Sequence, residues 1–167
     1  MILGIDVSTS KIGYCVVDNN KKLLEVSFKK LKEETLEQKA WLFYSNELKT
    51  IQRKYNITEV RIEEPFTMFS GGKTTAGTMA KLQRFNGMIC LMAYRCFNMV
   101  PILVPSRSAR SKCGIKIKRG ENTKKKIIEW VKNEYPKDFI FELTRHGNPK
   151  PGTDDMADSV VVALSHF

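Results

Sequence analysis

Three short apolar runs open the chain: Ile2-Leu3-Gly4-Ile5-Asp6-Val7, then Ile12-Gly13-Tyr14-Cys15-Val16-Val17-Asp18, then Leu23-Leu24-Glu25-Val26-Ser27-Phe28. Each is rich in β-branched or aromatic residues, and the turn formers Ser8-Thr9-Ser10 and Asn19-Asn20 separate them. Connections this tight join antiparallel neighbours, so the opening segment predicts a three-stranded meander.

Downstream the period changes. Thr35 and Gln38 have capping-box spacing, and Leu36, Ala40, Phe43, Leu48 and Ile51 supply one apolar helical face that ends near Asn56. Glu59 to Glu63 reads as a fourth strand cut by Pro65, followed by a Gly/Thr-rich loop, a long helix from Thr75 to Phe97 and a fifth strand from Val100 to Val104. A strand-helix-strand-helix-strand order after a meander predicts an α/β fold, with parallel neighbours joined by right-handed crossovers in a mixed five-stranded sheet. Past Pro105 the chain reads as irregular to Asn122, helical from Thr123 to Tyr135, loop-like through Gly152, and helical from Asp154 onward. With no repeat, low-complexity tract or linker, residues 1–167 are expected to form a single domain.

Charge narrows the function. Lys and Arg number 28 against 18 Asp and Glu, a formal net charge of +10, which points to a polyanionic partner. From Pro105 to Lys132 ten basic residues face only Glu121 and Glu129, whereas the last 35 residues carry six acids and three bases. A basic stripe beside an acidic end suits a metal-dependent nuclease. The longest apolar run, Met88 to Tyr94, has seven residues, well below the roughly 18 needed to span a bilayer, and the strand-like start lacks a basic signal region. A cytoplasmic protein that does not use a membrane is expected, with Cys15, Cys90, Cys96 and Cys113 as reduced thiols, because no C-x-x-C pairing occurs.

The candidate chemistry lies in carboxylates. Asp6 ends an apolar run where an unpaired charge is costly, and Glu63-Glu64 end the fourth strand. If the first and fourth strands are parallel neighbours, their acids converge, although alternation alone leaves open whether Glu63 or Glu64 faces Asp6. Asp155 and Asp158 are three apart and share a helix face, with Ala157, Val161 and Leu164 free to pack on the sheet. Four carboxylates from three elements would repel one another unless cations neutralise them. All-oxygen ligands suit Mg²⁺, with Mn²⁺ as substitute, and a pair of such ions can activate water and stabilise the leaving oxygen of a phosphodiester.

Gly4-Ile5-Asp6 followed by Gly13-Tyr14, Ile62-Glu63-Glu64-Pro65-Phe66, and Asp155-Met156-Ala157-Asp158 before an apolar helix resemble, in order and over nearly the whole chain, the RuvC Holliday junction resolvases of the RNase H-like superfamily. The resemblance implies an RNase H-like fold, and Asp6, Glu63, Asp155 and Asp158 as the quartet that holds two Mg²⁺ ions. It selects Glu63 over Glu64. It also matches Phe66 to a loop aromatic that inserts into the junction, and Arg110 and Lys124 to basic residues near the scissile phosphate, Lys124 with a catalytic role. Phe69 and Lys73 of the loop, and Arg107, Lys112, Lys116, Lys118 and Arg119 of the basic stripe, are the further candidate DNA contacts. Branched DNA, above all the four-way junction, is the implied substrate, and a homodimer the implied assembly. Ser8 stands where bacterial members usually have Gly, and Cys113 to Gly120 is unusually basic, which suggests a bacteriophage-type member acting in the host cytoplasm.

Other readings are an RNA-processing nuclease of the same fold and a DNA-binding module without catalysis. Gly71-Gly72-Lys73-Thr74 echoes a P-loop, but Thr67 occupies the position that needs the first glycine. An actin-like kinase start is a further echo, and that fold requires two domains where this chain has room for one.

Overall fold

A computed structural model describes residues 1–65 and 75–167. The meander is present as β1 (Ile2–Val7), β2 (Lys11–Val17) and β3 (Leu23–Lys30), and β4 (Glu59–Glu63) and β5 (Ile102–Val104) pair in parallel beside β1. The sheet order is β3-β2-β1-β4-β5, the mixed five-stranded arrangement expected. Asp18 closes the turn between β2 and β3, its Oδ1 accepting from the backbone N–H groups of Asn20 and Lys22.

The sheet is covered on both faces, which is why its central strands are nearly continuous apolar runs. One face, formed by Leu3, Ile5, Val7, Ile12, Tyr14, Val16, Val60 and Ile62, packs on α1 (Leu36–Leu42), a π-helical turn (Phe43–Leu48) and α3 (Ala76–Phe97) through Phe43, Leu48, Phe85, Ile89 and Ala93, with α2 (Lys49–Lys54) adding Ile51. The capping box at Thr35 and Gln38 is formed. The other face, with Ile2, Cys15 and Val17, takes α4 (Ser106–Lys112), α5 (Thr123–Glu134) and α6 (Thr153–Leu164) through Ala109, Ile127, Val131, Ala157, Val160 and Val161.

Two departures from the sequence reading concern helices. The helix after Thr35 is continuous but widened at its middle by the π turn, and the stretch after Pro105, read as irregular, begins with α4. In α4, Ser106-Arg107-Ser108-Ala109-Arg110-Ser111-Lys112 buries Ala109 alone, so it lacks the apolar period by which a helix is recognised. No helix among the described residues is long and apolar enough to cross a membrane. The four cysteines are free thiols, and burial pushes Cys15 up to about 12 and Cys113 up to about 11.

Candidate active site

Strand register decides which acids meet. Ile5 pairs with Ile62, so by alternation Asp6 and Glu63 both project to the α6 side of the sheet, together with Gly4 and Arg61. Glu64 alternates to the other side, and its N–H extends the ladder to the Val104 carbonyl at 2.9 Å. Burial, and then the charges of Glu63, Asp158 and Asp155, raise Asp6 well above the usual carboxylate range. Glu63 is raised by burial, against the opposing Ser106 hydroxyl and Arg110 charge. Its own carbonyl accepts from Asn86 Nδ2 at 2.9 Å, which fixes the strand end to α3.

The remaining acids arrive on α6, and two glycines set how closely. A Cβ on Gly13 of β2 would overlap the Asp155 carbonyl, and one on Gly4 of β1 would overlap the Ser159 carbonyl and the Ala163 side chain. The bare backbones let the helix lie directly on the sheet, where the Cys15 thiol donates to Ser159 O at 3.3 Å. Asp155 and Asp158 thereby sit over the ends of β1 and β4. Asp158 is pushed up to about 7 by burial and by the charge of Glu63, and Asp155 is raised by burial despite Lys11, whose Nζ is 2.6 Å from its Oδ2. Burial would also raise Asp154, but an ion pair with Lys124 and the charge of Lys11 at 3.7 Å carry it below the ordinary range.

Basic groups flank this cluster. Lys124, in the first turn of α5, reaches it through Asp154, and the charge of Arg110 on α4 acts on both Glu63 and Asp158. Arg107 and Lys116 line a groove with Arg110, and Lys118 and Arg119 are exposed in the connection from α4 to α5. Lys112 points away from the acids and braces the fold, its Nζ donating to Ser165 O at 3.0 Å, at the far end of α6. Phe66, Phe69 and Lys73, with the glycines of the P-loop echo, lie outside the described residues. Sequence reasoning passed over Lys11, Asn86 and Ser106. A polar Asn86 inside the apolar period of Phe85, Ile89, Ala93 and Cys96 was the available signal for one of them.

The donor set has the chemistry of a hard-cation site: carboxylates without a nitrogen or sulfur ligand, held close enough that Asp6 carries the repulsion of the other three. As the side chains stand, no group of three or more His, Cys, Asp or Glu among the described residues closes into an ion cage. Lys11 supplies a compensating positive charge at Asp155, and burial raises both Asp6 and Glu63.

A sheet in the order β3-β2-β1-β4-β5, with α6 laid across β1 and β2, is the RNase H-like fold seen in junction resolvases. T. thermophilus RuvC, solved in complex with Holliday junction substrate, superposes with a TM-score of 0.68 at 17% identity over 99% of this chain and 90% of that one. The yeast mitochondrial Holliday junction resolvase Ydc2 gives 0.61 at 17% identity, over 98% of this chain and 76% of its own. In sequence, the crossover junction endodeoxyribonuclease RuvC of Aliarcobacter butzleri is 26% identical over 168 aligned residues, covering 99% of this chain and 96% of the relative. That of Campylobacter jejuni is 25% identical over the same share of this chain and 94% of its own length. No protein-family model matches. The motif resemblance to the RuvC resolvases therefore extends along the whole chain, in sequence and in fold.

Proposed function

We propose that this protein is a metal-dependent endodeoxyribonuclease that resolves Holliday junctions and other branched DNA in the cytoplasm. The observation that carries the reading is the meeting of acids from β1, β4 and α6 on one face, flanked by Arg110 and Lys124, in a chain alike to RuvC over its full length. Asp6, Glu63, Asp155 and Asp158 would hold two Mg²⁺ ions, with Mn²⁺ as substitute; when bound, these activate a water and stabilise the leaving oxygen of the phosphodiester. The chain's own part is to orient and to neutralise. Asp6 and Glu63, both raised by burial, must ionise to hold the ions, and Asp158, near 7, loses its proton most readily above neutral pH, so ion affinity rises with pH. Arg110 and Lys124 place positive charge where phosphate oxygens gather negative charge in the transition state. Product from four-way DNA junctions in Mg²⁺, assayed beside RNA hairpins, tests the proposal. Binding without cleavage would favour the non-catalytic module, and faster RNA cleavage the RNA-processing relative.

Junction affinity is expected to fall steeply with salt, since each neutralised phosphate releases counterions. Changing both Arg110 and Lys124 to Gln should lower the log-log salt slope by about 1 to 2. An unchanged slope in fluorescence anisotropy would make the stripe a solvated surface. Lys124→Gln is expected to cost more in single-turnover rate than in affinity.

A homodimer completes the proposal, because resolution needs a cut in each of two strands. On α3 Leu91 and Tyr94 are 60% and 47% exposed, and Val100, Ile102 and Leu103 leave apolar surface at the β5 edge of the sheet. Sedimentation at micromolar concentration is expected to give a dimer for the natural chain and a monomer for Leu91→Lys with Ile102→Lys. A natural chain that stays monomeric with junction DNA would refute the dimer. The bacteriophage-type placement belongs to the same proposal. Ser8 works here without a glycine's freedom, its hydroxyl donating to Lys11 O at 2.8 Å and accepting from Lys11 N at 3.1 Å.

A further inference from the structure

Lys11 was singled out by neither the motifs nor the resemblance, yet it pairs with two of the acids of α6. It is the first residue of β2, two positions before the glycine that brings the helix head against the strand, so its place relative to that head is set by backbone packing. Its Nζ lies 2.6 Å from Asp155 Oδ2 and 3.7 Å from Asp154 Oδ1. The two aspartates differ in what else they have. Asp154 is also paired with Lys124, whereas among the described residues Lys11 is the cation within ion-pair distance of Asp155, whose buried Oδ2 has no other partner. The Asp155 side chain is 9% exposed and that of Lys11 22%, so the pair is shielded from the screening that makes surface pairs weak.

We propose that Lys11 is an exchangeable internal cation. In the ion-free protein it holds Asp155 in place and offsets its charge; when Asp155 takes a divalent ion, Lys11 leaves that oxygen and its ammonium becomes free, at the rim of the site, for a DNA phosphate. This rests on the reading of Asp155 as a metal ligand. An oxygen in contact with an ammonium cannot also carry a second cation without strong like-charge repulsion, so the two compete for Asp155. The competition is reciprocal: a phosphate that draws Lys11 outward tightens ion binding by the factor by which the ion tightens the phosphate. Lys11 would in this way tie loading of the Asp155 side of the site to the arrival of substrate.

Calorimetric titration of the full chain with Mn²⁺, without DNA, tests this in Lys11→Met, which keeps the length of the stem and removes the charge. Lys11→Met is expected to bind Mn²⁺ about tenfold more tightly than the natural protein and to melt at a lower temperature when ion-free. Lys11→Arg is expected to behave like the natural chain. With Ca²⁺ as a non-cutting ion, junction DNA should tighten ion binding in the natural protein more than in Lys11→Met. Lys11→Gln, uncharged but able to donate a hydrogen bond to Asp155, provides the same comparison if Lys11→Met does not fold. Mn²⁺ affinity that is equal or weaker in the uncharged variants would overturn the inference while leaving the ligand reading intact. Absence, in the natural chain, of any Mn²⁺ binding that Asp158→Asn removes would overturn the ligand reading, and the inference with it.

Discussion

Asp6→Asn is expected to slow single-turnover junction cleavage in Mg²⁺ by about 10³-fold or more while junction binding in Ca²⁺ is retained, because the proposal assigns phosphate contact to Arg110 and Lys124 rather than to the acids. Glu63→Gln, Asp155→Asn and Asp158→Asn should do the same, and full activity in any two of the four would remove the four-carboxylate site. The Asp158 substitution should act in the opposite direction on stability. Asp158 ionises at about 3.9 in an unfolded chain and at about 7 in the folded protein. Between those values the unfolded chain loses its proton first, so rising pH favours unfolding, and the penalty is complete above the folded value. Asp158→Asn removes that penalty. Its ion-free melting temperature should exceed that of the natural protein at pH 8 and approach it at pH 4, read from circular dichroism melts across that range. A melting temperature lowered by Asp158→Asn at pH 8 would mean that Asp158 is a structural anchor. On the proposed reading, activity and stability pull against each other at this site: the carboxylate charges that a cation would need are gathered at a cost to the ion-free fold.

Gly13→Ala carries the second large expectation. The added methyl would overlap the Asp155 carbonyl, which is helix backbone packed against a strand and cannot turn aside as a flexible side chain would. Either the first turn of α6 lifts or β2 bends, and overpacking of this kind costs about 1 to 3 kcal/mol or more. A shift of about 1 Å in Asp155 and Asp158 relative to Asp6 and Glu63 is enough to lower a rate about 10²-fold. Urea denaturation and single-turnover cleavage measured together check both halves. Gly87→Ala serves as the control, since nothing among the described residues lies within 4 Å of a methyl placed there and α3 should gain from the better helix former. Unchanged stability and rate in Gly13→Ala would mean that α6 does not depend on this close approach.

Much of the sheet was legible because its signals are local. The turn formers around Ser8-Thr9-Ser10 and Asn19-Asn20 gave the meander, and the change from strand to helix period at Thr35 and again at Thr75 gave the crossovers. The helix α4 was not legible, since it is held by Ala109 in a shared core and by its neighbours rather than by an amphipathic pattern. Lys112 was read with the basic stripe, and no local pattern could reveal that its ammonium reaches back to Ser165 across the fold. Lys11 was invisible for the same reason, because the partner that gives it meaning is 144 residues away in sequence.

Residue order alone determined the candidate acids, the strand order and every helix but α4, the basic stripe and the likeness to RuvC, because each rests on residue type and spacing within a short window. The tertiary structure decided that Glu63 rather than Glu64 shares a face with Asp6, through the pairing of Ile5 with Ile62. It also decided that Asp154 and Asp155, adjacent on one helix, ionise in opposite senses, Asp154 lowered by its ion pair with Lys124 and Asp155 raised by burial. Strand register and the ionisation of a carboxylate depend on which distant groups are brought within a few ångströms of one another, and that is a property of the folded chain rather than of any segment of it.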